Sequence, residues 1–245
     1  MIRAAMFALI ASLTPAWSND VNCSDVTHDG NSYTICPVEL SKHELRLFWK
    51  DPAGSLFGHF KRVEDQLAGL NKVLSFAMNA GMYHANRAPV GHYVEDGKAE
   101  TPVISQAGPG NFGLLPNGVF CIQSGRVDVF ETLTFLNATP PCDHATQSGP
   151  MLVIDGDLHP RFLKDSTSRF LRNGVGTSAD GQTAIFAISR NPVTFHEFGR
   201  LFRDYLSVPN ALYFDGNISR LHAPSLNRSD AGFPMGPIIG VVGSK

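Results

Sequence analysis

Ala211-Leu-Tyr-Phe-Asp-Gly-Asn-Ile-Ser219 begins with four apolar residues, two of them aromatic, and runs straight into turn chemistry. The first part reads as a buried strand and Asp-Gly-Asn as the tight turn that ends it. Asp215 therefore stands at a strand exit, where a carboxylate can face a crevice while the sheet holds its backbone. An Asp in that place can also do no more than hydrogen-bond its own turn. Which role applies depends on what the rest of the chain brings to it.

Working upstream, Thr194 and Glu197 have capping-box spacing, and Phe195, Phe198, Phe202, Tyr205 and Leu206 form one apolar helical face. This helix links Thr183-Ala-Ile-Phe-Ala-Ile188 to the 211–214 strand, and strand, helix, strand implies a right-handed parallel crossover. Before it, Arg172-Asn-Gly-Val-Gly176 enters a strand that turns at Asp180-Gly181. Residues 160–171 fit either a short helix or an active-site loop, and Met151-Leu-Val-Ile154 reads as a strand. Hairpins are expected around Ser124-Gly125 and around Asp96-Gly97. Lys72-Val-Leu-Ser-Phe-Ala-Met78 is a buried strand, preceded by a helix over 56–70 and by a strand over 44–50. Residues 19–43 read as polar and irregular. Downstream, Pro237-Ile-Ile-Gly-Val-Val242 closes the sheet. The fold class is α+β: a mixed, strand-rich central sheet with flanking helices, one βαβ crossover and a single domain.

Composition narrows the function. The 245 residues carry a formal charge of −2 and no basic cluster, which leaves no nucleic-acid footprint. Arg3, the apolar run 4–13 and the small residues Ala16 and Ser18 mark 1–18 as a secretory signal, with a mature domain over 19–245 in the periplasm or outside the cell. No stretch is long enough for a membrane span in the mature chain. Cys23, Cys36, Cys121 and Cys142 all lie beyond the cut, an even number that suggests two disulfides. Three pairings are open, and proximity favours Cys23–Cys36 with Cys121–Cys142.

Asn79, Arg190 and Asp215 each fall just past a buried strand, and Arg172 could reach the same crevice from its turn. Gly149, Gly174, Gly176 and Gly216 lie beside these groups, where glycine lets backbone N–H groups approach an oxyanion. Taken singly, each glycine is a turn and each arginine a surface ion-pair partner. There is no Gly-x-Ser-x-Gly elbow, phosphate-binding P-loop or His-Glu-x-x-His, and the nine histidines are scattered. No metal and no cofactor is expected.

Asn79-Ala-Gly-Met-Tyr83, Gln147-Ser-Gly-Pro-Met-Leu-Val153, Arg172-Asn-Gly-Val-Gly176 and Tyr213-Phe-Asp-Gly-Asn-Ile-Ser219 occur in that order. Together they resemble the phosphodiester glycosidase family, in its bacterial exported branch, over about residues 45–242. The resemblance implies a hydrolase that cleaves the glycosidic C–O bond of a small-molecule or glycan phosphodiester. On it, Asp215 is the carboxylate, Arg172 holds phosphate, and Asn79 and Ser219 orient the substrate. Tyr83, Gln147, Ser148, Gly149, Asn173, Gly174, Arg190, Gly216 and Asn217 complete the binding set. Asp155, Asp157 and Glu197 are candidates for a second carboxylate. Arg172 opens a Gly-rich turn, so little apolar packing is expected to depend on it. One branch of the family usually has Asp-Gly-Gly-Gly-Ser where this chain has Asp215-Gly-Asn-Ile-Ser219, which bears on sugar preference. The competing readings are an envelope protein that binds a phosphorylated glycan without turnover, and a phosphodiesterase that cuts P–O.

Overall fold

The computed structural model describes residues 20–245. The signal segment and the cut before Asn19 lie outside them. Three antiparallel sheets carry the fold. The largest has seven strands in the order Ser24–His28, Asn31–Glu39, Thr183–Ser189, Asn173–Thr177, Asn210–Asp215, Met151–Ile154 and Asp157–Leu158. A five-stranded sheet follows the order Arg228–Ser229, Leu221–Ala223, Lys72–Asn79, Ile238–Ser244 and Glu44–Phe48. The other five-stranded sheet runs Lys98–Thr101, Tyr93–Glu95, His144–Ser148, Gly118–Gln123 and Arg126–Glu131.

Two expectations are corrected here. The sheets are not mixed: every ladder between the described strands is antiparallel. The crossover does join two strands of like direction, because Thr183–Ser189 and Asn210–Asp215 each pair antiparallel with Asn173–Thr177. That third strand lies between them, so no parallel ladder forms. Gly174 makes the insertion close, since a Cβ there would sit 2.4 Å from the carbonyl oxygen of Leu212. Of the stretch 19–43, the described residues 20–43 are not irregular either. Asp29 and Gly30, at φ 50° and 73°, turn Ser24–His28 into Asn31–Glu39, which pairs on its other side with Thr183–Ser189.

Elsewhere the local patterns form as read. The first helix spans Phe60–Gly69 rather than 56–70, because Gly58 takes φ 65° and breaks the helical run before it. Its Val63 and Leu67 pack with Leu74, Ile238 and Val242. Thr194 and Glu197 form the full capping box. The helix Phe195–Arg200 continues as a π-helical turn over Leu201–Tyr205, burying Phe198, Leu201 and Phe202 against Leu152, Ala211 and Tyr213. Residues 160–171 form a loop rather than a helix. The three sheets meet at Phe76, Phe120, Phe186 and Phe214, with ring centroids 4.9–6.5 Å apart. Disulfides join Cys23 to Cys36 and Cys121 to Cys142, and no cysteine is free.

Glu95 ties two of the sheets together and gives a pH signature. Its Oε2 accepts from the Tyr93 hydroxyl (2.5 Å) and from the N–H of Trp49 (3.1 Å). Burial pushes its carboxyl up to about 6. A carboxyl raised in the folded state stabilises fully at low pH, and that contribution is lost as pH rises through about 6. Glu95→Gln keeps an acceptor without the charge. It is expected to match the wild type near pH 4.5 and to exceed it at pH 7.5 by up to about 2 kcal/mol in urea titrations. His144 nearby is common to both proteins and cancels in the difference. A gain as large at low pH as at high pH would show that the charge is not the cause.

Candidate active site

Asp215 ends its strand on the wall of a cavity of about 460 Å³. Tyr83, Asn111, Phe112, Phe170, Tyr213, Gly216 and Asn217 line the same space. The carboxylate is 9% exposed. Its Oδ1 accepts from the N–H groups of Gly216 (2.6 Å) and Asn217 (3.0 Å), so the Asp-Gly-Asn turn does form. Burial raises its pKa, and these N–H groups, with that of Ile218, pull the other way. The turn reading and the cavity reading thus hold at once: the turn fixes the carboxylate at the cavity wall.

Asn79 and Asn173 hold this strand end from beneath. Both are fully buried. Asn173 donates through Nδ2 to Oδ1 of Asn79 (2.8 Å), and its own Oδ1 accepts from the N–H of Asp215 (3.2 Å). Asn79 Oδ1 also accepts from the N–H of Arg220 (3.0 Å). The pair clasps the seven-stranded sheet to the five-stranded sheet at their strand ends, directly under Asp215. Neither asparagine lines the cavity.

Arg172 lies under the cavity floor and is 1% exposed. Its guanidinium covers Phe195 at 3.6 Å and lies within 5.5 Å of the Tyr213 and Phe170 rings. Nε donates to the carbonyl of Val193 (2.9 Å) and Nη2 to that of Ser168 (3.1 Å). Among the described residues neither Nη1 nor the buried hydroxyl of Tyr213 makes a well-formed hydrogen bond, and the two side chains act on one another. Burial lowers the pKa of this guanidinium, an environment that costs a cation free energy unless something anionic compensates it. The expectation that little packing depends on Arg172 is overturned, since three aromatic rings surround it.

Other expected site residues lie elsewhere. Gln147 is used up inside the fold: Oε1 accepts from the N–H groups of His92 and Ile104, and Nε2 donates to the Ile104 carbonyl and to the Thr132 hydroxyl. Ser148 Oγ donates to the carbonyl of Phe214, and Gly149 packs on Asn117, where a Cβ would come within 2.6 Å. Gly174 serves strand packing. Arg190 is half exposed and pairs with Asp25 away from the cavity. Ser219 Oγ closes its own turn by sharing its single hydrogen between the carbonyls of Asp215 and Leu171. Among the second-carboxylate candidates, Glu197 caps its helix and pairs with Arg169, while Asp155 sits in a turn and Asp157 opens the strand after it; none lines the cavity.

Several lining residues escaped the sequence reading. Phe170 comes from the 160–171 loop, whose loop alternative stands. Pro109, Gly110, Asn111 and Phe112 come from a Gly-Pro-Gly-Asn run, a loop signal that could have been weighed. Arg87 takes φ 68° in the turn after His84 and places its guanidinium 5.3 Å from the centroid of the Tyr83 ring. Tyr83 faces Asp215, and its phenol is raised by burial and then by that charge.

A sequence profile for phosphodiester glycosidases matches residues 72–241. The chain belongs to that family. The matched span contains Asn79, Arg172, Asn173 and Asp215. The uncharacterised protein YigE of Escherichia coli K12 is 31% identical over 207 residues, 84% of this chain and 78% of that protein. Among solved structures, the catalytic domain of zebrafish N-acetylglucosamine-1-phosphodiester alpha-N-acetylglucosaminidase, auto-inhibited by its pro-peptide, is similar at TM-score 0.60 and 14% identity. That likeness covers 94% of this chain and 84% of the zebrafish chain. A Burkholderia pseudomallei structure is similar at TM-score 0.50 and 12% identity, over 86% of this chain and 74% of its own. At these identities the two structures speak for the fold.

Proposed function

We propose that this protein hydrolyses the anomeric C–O bond of a sugar-1-phosphodiester in an exported compartment, with Asp215 as the carboxylate at the anomeric carbon. One observation carries the reading. In a phosphodiester glycosidase fold, a nearly buried carboxylate is anchored by its own turn on the wall of a cavity lined with aromatic rings. Cleavage expels a phosphate monoester, a weak base that needs less protonation than an alcohol. Positive potential and fixed donors then do much of the leaving-group work. The buried charge of Arg172, with the Tyr213 hydroxyl beside it, lends positive potential at the cavity floor. Arg87 adds charge beside Tyr83 at the wall. Asp215 acts as base for water or as nucleophile, and its burial favours either role by strengthening a lightly solvated carboxylate. Asn79 and Asn173 are positioning residues that hold the Asp215 backbone. The two disulfides and the signal-like start support the exported location.

Hydrolysis in ¹⁸O-labelled water is the deciding experiment. Label is expected in the sugar, at the anomeric oxygen. Label in the phosphate would replace this reading with P–O cleavage. Binding without turnover across a panel of sugar-1-phosphodiesters would leave a glycan-binding protein.

A further inference from the structure

A second cavity, of about 570 Å³, opens on the other side of the turn that carries Asp215. The two share a wall. Phe170 and Asn217 face the Asp215 cavity, and their neighbours Leu171 and Ser219 face the second one. Ser219 Oγ locks that wall by sharing its single hydrogen between the carbonyls of Leu171 and Asp215, each at 2.9 Å.

The rim of the second cavity is a relay of charges that does not balance. Arg190 pairs with Asp25. Asp25 Oδ1 accepts from the hydroxyl of Thr34 (2.6 Å), and Thr34 Oγ1 accepts in turn from Nη1 of Arg228 (3.3 Å). Arg228 grips Asp230 with two hydrogen bonds, of 3.0 and 2.7 Å. Both rim carboxylates are thereby committed to two of three arginines. The third, Arg220, is 7% exposed. It donates from Nη1 to the carbonyl of Phe233 (2.5 Å) and packs its guanidinium against Gly232, while Tyr83 and then Asp230 act on it at longer range. A guanidinium offers five N–H donors in a fork that fits phosphate, and Arg220 lines this cavity with no ion pair among the described residues, which suits it to receive an oxyanion.

We infer that this second cavity is a subsite for a further phosphate group of the substrate, beyond the phosphate at the scissile bond. A chain draped over the wall at 217–219 would set its sugar against Asp215 and its next phosphate against Arg220. The preferred substrate is then a diester whose aglycone is itself phosphorylated, as in a polymer of phosphodiester-linked units, rather than a diester with a neutral aglycone. The inference rests on the reading of the Asp215 cavity as the place of cleavage.

The test compares two sugar-1-phosphodiesters, one with a propyl aglycone and one whose propyl aglycone ends in phosphate. Wild type is expected to show a KM at least about tenfold lower for the phosphorylated one, in line with a charge-assisted contact. Arg220→Gln is expected to erase that difference while leaving kcat/KM for the propyl diester within about twofold. Asp25→Asn, a surface change that leaves Arg190 uncommitted, is expected to widen the difference, and it serves if Arg220→Gln does not fold. Calorimetric titration with propane-1,3-diyl bisphosphate reads the subsite without turnover; Arg220→Gln is expected to weaken it about tenfold. If that weakening appears but neither diester is hydrolysed, the subsite stands and the hydrolase reading falls. If both diesters are hydrolysed with equal KM and the titration is unchanged, the subsite is overturned and the hydrolase reading stands. A parallel loss on the propyl diester in Arg220→Gln also overturns it, because Arg220 would then hold the scissile phosphate.

Discussion

Asp215→Asn is expected to lower single-turnover hydrolysis by at least about 10²-fold while the protein stays folded. The swap preserves what the turn needs: an amide oxygen can accept from the N–H groups of Gly216 and Asn217 as Oδ1 does. It removes the charge that a base, a nucleophile or an oxocarbenium partner requires. Stability should not suffer. Burial raises the pKa of Asp215, so the charged form contributes least at neutral pH, and a neutral isostere is expected to melt at an equal or slightly higher temperature. Rate and melt together separate the two roles of this residue. A turn former alone would leave the rate near wild type, and catalysis would have to rest on a different carboxylate.

Local chemistry made much of this chain legible before any coordinates. Turn dipeptides placed the hairpins at Asp96-Gly97 and Ser124-Gly125, and Thr194 with Glu197 placed a helix start. The strand exits at Asn79 and Asp215 were readable because an apolar run stops at a polar residue. What such signals lack is the partner of each strand and the direction of each side chain. Arg190 also follows a strand, yet it meets Asp25 from a hairpin that the polar composition of 19–43 concealed. Gln147 sits on a buried strand face, and its amide serves the main chain of residues 92 and 104, far off in sequence. Asn173 reaches Asp215 only because the ladder register shifts between Asn173 and Gly174. Each is a long-range fact, and period-two patterning carries no record of it.

Arg172 has the larger structural consequence, and two substitutions separate its roles. Arg172→Ala removes a side chain packed on Phe195 and beside Tyr213, and it frees the carbonyls of Val193 and Ser168. A cavity of that kind costs about 2–5 kcal/mol, or roughly 4–20 °C in melting temperature for a chain of this size. The loop that presents Phe170 should loosen with it, since Ser168 is one of its anchors. Activity lost in Arg172→Ala therefore cannot be assigned to phosphate contact. Arg172→Met fills nearly the same volume without the charge, and replacing a poorly compensated buried cation by an apolar group is often close to neutral in stability. Its melting temperature is expected within a few degrees of wild type. If the buried charge of Arg172 and the Tyr213 hydroxyl beside it act on a phosphate, Arg172→Met should lose about ten- to a hundredfold in kcat/KM on a sugar-1-phosphodiester. Full activity in a stable Arg172→Met would make Arg172 a packing residue and move the phosphate to Arg87. A variant that melts as early as Arg172→Ala would show that the carbonyl hydrogen bonds, and not the volume, hold the floor of the site.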